Sequence, residues 1–254
     1  MLSAHQCLHP RTRSSHLSYR TCTRAAGLGG SGKVNLLITN LGFGERVPVY
    51  QNGVSAPQLN AGSDLEDIDF FLDGEHDESA RRIGRRTVWA WPFPEANTVA
   101  RHLAISGDSS VKTGTAPHAW NIILAAMVAA LPRRWWRSHA FSGALARFSE
   151  PLVSLTDRFV RETHGMRVDV HSAAGMRVSA VQAHESFRRC VGQSCAEFTM
   201  HLQSQHQRGA GTPGVHLTEE LAGGSGGDGS ARAALLARLT TTPGTLTFTT
   251  KGPT

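Results

Sequence analysis

AAGLGGSGKV, residues 25–34, decides how the chain is to be read, because it meets two nucleotide-binding patterns together. Gly27, Gly29 and Gly32 fit the dinucleotide fingerprint G-x-G-x-x-G, while Gly27, Gly32 and Lys33 fit the phosphate loop up to its last letter. A phosphate loop needs a hydroxyl after its lysine to hold magnesium, and Val34 stands there. The strand ahead of such a loop should be buried on both faces, whereas Leu17, Tyr19 and Thr21 alternate with Ser18, Arg20 and Cys22. An aspartate for a second metal contact is also missing, since Asp73 follows only Phe70, Phe71 and Leu72. The dinucleotide reading fails one step later. An acidic residue should close the second strand and take the ribose hydroxyl, but Tyr50-Gln51-Asn52 ends the run from Val47, and Glu45 precedes it. The glycines are then read as a tight turn from a strand into a helix packed closely on a sheet.

Outward from that turn, Lys33 to Leu41 reads as a helix with Val34, Leu37, Ile38 and Leu41 on one face, stopped by Gly42 and Gly44. Val47 to Tyr50 is a short strand closed by the Asn52-Gly53 turn. Residues 55–85, rich in Asp, Glu, Gly and Ser around Ile68-Asp69-Phe70-Phe71-Leu72, predict a surface excursion with one short strand. Thr87–Trp91 predicts a strand buried on both faces, Glu95–Leu103 a helix and Ser110–Thr113 a strand. Ala119–Leu131, apolar on every side, predicts a central helix ended by Pro132. Phe141, Leu145, Phe148, Leu152, Leu155 and Phe159 form a helical stripe, with a kink or fresh start expected at Pro151. Met166 to Ala180 alternates about the Ala174-Gly175 turn, a hairpin with one apolar face. A helix over Val191–Gln207, a flexible loop over Gly223–Gly229, a helix over Ala231–Leu239 and a strand over Thr245–Thr250 complete the chain. Hairpins mixed with helices predict an α+β fold with a mixed, largely antiparallel sheet rather than a regular βαβ winding.

With 254 residues, 40% of them hydrophobic, the chain can bury a sizeable core as one large domain or two small ones. The net charge of +6 comes from scattered pairs such as Arg81-Arg82 and Arg188-Arg189 rather than one stripe, which argues against a nucleic-acid partner. The longest apolar run, Trp120–Leu131, is too short for a membrane span. No Asp or Glu occurs from Met1 to Gly44. Residues 1–14 therefore read as a disordered or transit-like segment; a transit peptide would send the chain to a chloroplast or mitochondrion, and otherwise it is cytoplasmic. Cys7, Cys22, Cys190 and Cys195 show no C-x-x-C spacing, and His201 and His206 lie five apart, off the H-x-x-x-H spacing, so no metal is expected.

Four ordered segments carry a resemblance: AGLGGSG at 26–32, GTAPHAWN at 114–121, SEPLVSLTDRFVRETHGMRVDV at 149–170 and GTPGVHLTEE at 211–220. From residue 15 to residue 254 the chain resembles the C-terminal half of the saccharopine dehydrogenase-like oxidoreductases, the group that includes carboxynorspermidine-synthase-like proteins. The resemblance implies an α+β substrate-binding and dimerisation domain, a homodimer and a small amino-acid-like substrate. It also implies that NADP or NAD serves full-length relatives through a Rossmann domain that this chain lacks, so no cofactor is expected on the chain itself. Gln193 and Glu197 depart from the small and hydroxyl residues usual after the family's Ser-His segment. The alternative is a non-catalytic binding or scaffolding domain of the same descent.

Without a nicotinamide no side chain can be assigned hydride transfer, and substrate positioning remains. Thr115, His118 and Asn121 lie at a strand-to-helix junction where a substrate carboxylate could be held, with Thr115 as a helix cap the plainer reading. Arg167 could pair a carboxylate bidentately or simply sit on a solvated strand face. His184 could carry a proton near neutral pH, or be an ordinary hydrogen-bonded histidine.

Overall fold

The structure is a computed structural model and describes residues 19–28, 33–72, 83–116, 118–159, 162–209, 213–221 and 230–252. The segment 1–14 and the loop expected over Gly223–Gly229 lie outside the described residues. One sheet organises the rest, in the order β3-β2-β6-β1-β7-β8-β9, with β5 bonded to β6 and β4 to β5. Its strands are β1 (Tyr19–Leu28), β2 (Arg46–Gln51), β3 (Val54–Asn60), β4 (Glu66–Asp69), β5 (Arg85–Ala90), β6 (Ser109–Ala116), β7 (Thr163–Ser172), β8 (Arg177–His184) and β9 (Thr245–Lys251). Among the described residues only β1 and β6 run parallel, so the sheet is mixed and largely antiparallel, and the class is α+β.

β1 reaches six residues beyond Cys22 and takes in Gly27 and Leu28. Ala25, Ala26 and Gly27 are weak strand formers, but β6 pairs them along one edge and β7 along the other. Ladder hydrogen bonds on both edges override propensity. The Asn52-Gly53 turn, with φ of 50° and 80°, has the two left-handed residues of a type I′ hairpin and joins β2 to β3. β3 is an addition to the predicted elements.

Eight helices are described: α1 (Lys33–Gly42), α2 (Glu95–His102), α3 (His118–Ala130), α4 (Arg133–Trp136), α5 (His139–Phe159), α6 (Phe187–Gln207), α7 (Thr218–Leu221) and α8 (Ser230–Thr240). α6 starts four residues before Val191 because Ser186 caps it, accepting from Arg189 N, while Glu162 Oε1 accepts from Phe187 N at 3.0 Å. The largest core cluster joins Phe43, Val47, Trp89, Trp91 and Trp136, with Leu124, Met127, Phe141 and Leu145 packed against it. Phe43 meets the edge of Trp91 at 5.0 Å between ring centroids.

Four expectations need correction. The excursion over 55–85 is not confined to the surface: Phe70, Leu72 and Ile83 are buried, and Phe70 and Ile83 pack with Val88 and Ala183. α3 is not central, because Ile122 and Ile123 on it are exposed. Pro151 lies inside the single helix α5, so of the two outcomes expected there, a kink or a fresh start, the fresh start does not occur. The hairpin β7–β8 buries more than its apolar side, since Arg167, Asp169 and Ser179 are buried along with Val168, Val170 and Val181. β4 and its continuation Phe70–Leu72 cover that second face, as the bonds from Arg167 below make plain.

Candidate functional site

Register across the sheet sorts the chemistry onto two faces, because residues paired across strands share a face and neighbours along a strand alternate. Thr115, Gly27, His164 and His184 form one row at the carboxyl ends of β1 and β6. On the opposite face, Ser110, Asp169, Ser179 and Lys251 form another, with Lys112, Arg167 and Val181 beside it.

At the strand ends, Thr115 lies within β6 and does not cap α3. Its backbone N–H donates to Asn121 Oδ1 at 3.2 Å, and Asn121 Nδ2 donates to the Thr87 carbonyl at 3.2 Å. Asn121 is 2% exposed, so both ends of its amide are spent on joining α3 to β5 and β6. β5 comes so near β6 that a Cβ on Gly114 would stand 2.3 Å from the Thr87 carbonyl oxygen. Only glycine fits there.

His118 opens α3 and is exposed, with Nδ1 3.3 Å from Thr87 Oγ1. Thr87 Oγ1 donates its one proton to Asp67 Oδ1 at 2.6 Å. The hydroxyl can therefore only accept from the imidazole, which fixes the proton of neutral His118 on Nδ1 and leaves a lone pair on Nε2. Asp67 and Thr87 were not foreseen as site residues, because they meet only through the pairing of β4 with β5.

His184 is fully buried, with Nδ1 accepting from Ser186 N at 3.0 Å and Nε2 facing Gln193 Oε1 at 3.2 Å. Gln193 in turn donates to the Pro243 carbonyl at 2.8 Å. Both ring nitrogens are engaged within the protein, so His184 is a packing histidine and not an exposed proton carrier. Glu197, the other departure from the family pattern, pairs with Arg238 at 2.8 Å. Beside His184, His164 has its pKa pushed down to about 4, first by burial and then by the neighbouring His184.

Arg167 does pair a carboxylate bidentately, but the carboxylate is Asp169 of its own strand, at 3.0 to 3.2 Å, and its face is not solvated. Its Nη1 also donates to the carbonyls of Asp69 and Phe71, which fastens β4 over the hairpin. Asp169, 1% exposed, further accepts from Arg177 Nη2 at 2.8 Å and from Ser179 Oγ at 2.6 Å. Burial alone would raise its pKa, but the hydrogen bonds from Arg167 and Ser179, the Arg167 charge and Arg177 outweigh that and hold it below its ordinary value. Above this network lies a cavity of about 490 Å³ lined by residues that include Asp67, Asp69, Arg167, Arg177 and Lys251. One sequence signal pointed here: Arg167 and Asp169 two apart on a strand share a face and attract, as do Arg177 and Ser179 opposite.

Of the five residues expected at a site, Thr115, His118 and Asn121 are brought together; His184 shares a face with Thr115 but lies three strands along, and Arg167 stands on the opposite face. Among the described residues no group of three or more His, Cys, Asp or Glu could hold a metal ion, and no helix is long and apolar enough to cross a membrane. No protein-family model matches the chain, and no curated protein matches it.

Proposed function

We propose that the chain is the substrate-binding and dimerisation domain of a saccharopine dehydrogenase-like NAD(P)-dependent oxidoreductase, acting on a small amino-acid-like substrate with the nicotinamide held by a nucleotide-binding domain outside it. The observation that carries this reading is the parallel pair β1 and β6. The two strands end in register at Gly27–Thr115 and Leu28–Ala116, each leading towards a helix, and the exposed His118 sits at that edge with its Nδ1 on Thr87. In open sheets ligands lie outside the carboxyl ends of parallel strands. The four-segment sequence resemblance supports the same reading, and it supplies the cofactor and substrate class.

Calorimetry and NMR on the chain test it. An amino-acid ligand is expected to shift the resonances of Thr115 and His118, while NADPH and NADH leave them unmoved and bind only when a nucleotide-binding domain is added. Tight binding of either dinucleotide to the chain alone, abolished by Lys33→Ala, would overturn the reading. The second reading, a non-catalytic binding or scaffolding domain, draws on the fact that Asn121, Arg167 and His184 are all hydrogen-bonded within the protein. Self-association with no response to amino acids would favour it.

A further inference from the structure

We propose that the cavity between β4 and the charged face of β7–β9 is a binding site for a small zwitterion, with an ammonium and a carboxylate at opposite ends of a short apolar stem. This site goes beyond the strand-end reading and does not rest on it. Asp169 pairs with Cys22 and Thr115 pairs with Gly27, five residues apart along β1, about 16 Å, and on opposite sides of the sheet; the two sites meet only at Asp67 on the cavity rim, which accepts from Thr87 Oγ1 beside His118.

The cavity floor is built rather than incidental. Arg167 and Asp169 are nearly inaccessible, with side chains 10% and 1% exposed, and the Arg167 bonds to the Asp69 and Phe71 carbonyls hold the β4 wall in place. Asp169 neutralises only one of the two guanidiniums bound to it, so the set with Arg167 and Arg177 keeps one positive charge. Arg177 projects that charge, its side chain 41% exposed while Nε and Nη2 are held on Asp169. Lys251 lies on the same side, in register with Ser179. The facing wall is acidic. Asp67 and Asp69 line it, whereas Glu66 is paired with Lys112 at 3.1 Å. Arg85 approaches Asp67 only at 3.7 Å with both side chains more than half exposed, a weak pair that an incoming ammonium can displace. Ile68, Phe71 and Leu72 supply apolar lining.

A dianion would meet Asp67 and Asp69, and a dication would meet Arg177 and Lys251; only a molecule with one end of each sign satisfies both walls. The volume of about 490 Å³ falls within the range of small-molecule sites.

Three four-carbon probes of equal length isolate the charge requirement: 4-aminobutyrate, 1,4-diaminobutane and butanedioate, titrated calorimetrically into the full chain. The zwitterion is expected to bind at least about tenfold more tightly than either of the others, and to lose about tenfold or more in both Asp69→Asn and Arg177→Gln. Thermal melting controls for folding, and Asp69→Asn keeps the test usable if Arg177→Gln unfolds. Equal or tighter binding of the diamine or the diacid would overturn the proposal, and so would no binding of any probe at about 10 mM. Zwitterion binding that survives both variants but vanishes in His118→Ala would place the ligand at the strand ends and overturn it too. Loss of dinucleotide-dependent chemistry alone would touch only the reading in the preceding section.

Discussion

Asp169 holds two guanidiniums and a hydroxyl with one carboxylate, and removing it leaves Arg167 buried without a counter-charge. Breaking a buried pair from one side costs about 3–5 kcal/mol, so Asp169→Ala should lower the urea midpoint strongly, and Asp169→Asn nearly as much. The acid limb carries a second signature. The folded carboxyl titrates below its ordinary value, so the unfolded chain binds more protons near that pH. Its contribution is complete above the unfolded pKa and drains away as pH falls through the lowered folded one. Urea midpoints from about pH 5 to about pH 2 should fall less steeply in Asp169→Asn than in wild type. His164 has the other sign of group and a different window. A histidine held at about 4 in the fold and 6.5 when unfolded costs nothing above pH 6.5 and destabilises progressively as pH falls towards about 4. Replacing it by Gln should flatten the stability profile between those two values, and an unchanged slope would show that His164 is not the group responsible.

Pro151 sits in the middle of α5 with its side chain exposed, where it supplies no amide to the Arg147 carbonyl. The helix persists because its first half is anchored: Phe141 and Leu145 pack on the aromatic cluster, and buried Ser142 bonds the Trp136 carbonyl at 2.7 Å. Tertiary packing outweighs a local cost of about 3 kcal/mol, and Pro151→Ala should recover part of it, raising the thermal midpoint by several degrees. No rise would mean that the proline is matched to a bend the packing requires. The same contest explains what the sequence allowed one to read. Strongly periodic elements such as α1, α5, the β7–β8 hairpin and β9 were legible because one face repeats at a fixed period. β1 was legible only at its start, since Ala25 to Gly27 become strand through partners more than eighty residues away. Of the site, His118 and Arg167 were visible as residue types. Their roles were not, because Thr87 and Asp67 reach His118, and Asp69 and Phe71 reach Arg167, only through pairings that no local pattern encodes.

At the scale of the molecule, several helices present large apolar side chains outward, among them Val34 and Ile38 on α1, Ile122 and Ile123 on α3, Phe148, Leu152 and Leu155 on α5, and Val191, Met200 and Leu202 on α6. α1 packs against α5, so at least two of these exposures belong to one continuous helical surface. Phe148 is 71% exposed although it belongs to the stripe whose Phe141 and Leu145, further up the same helix, pack partly buried against the aromatic cluster. A single exposed apolar residue needs no explanation, but a stripe that stays apolar after leaving the core marks an association surface. The dimer that belongs to the proposed function would use this surface, because covering it removes apolar area at about 25 cal/mol per Å². Sedimentation velocity at about micromolar concentration should then give a dimer for wild type. Phe148→Glu or Leu155→Glu should give a monomer with an unchanged circular dichroism spectrum, since neither side chain is part of the core. A monomeric wild type would sink the dimer, and a dimer untouched by either substitution would move it to another face.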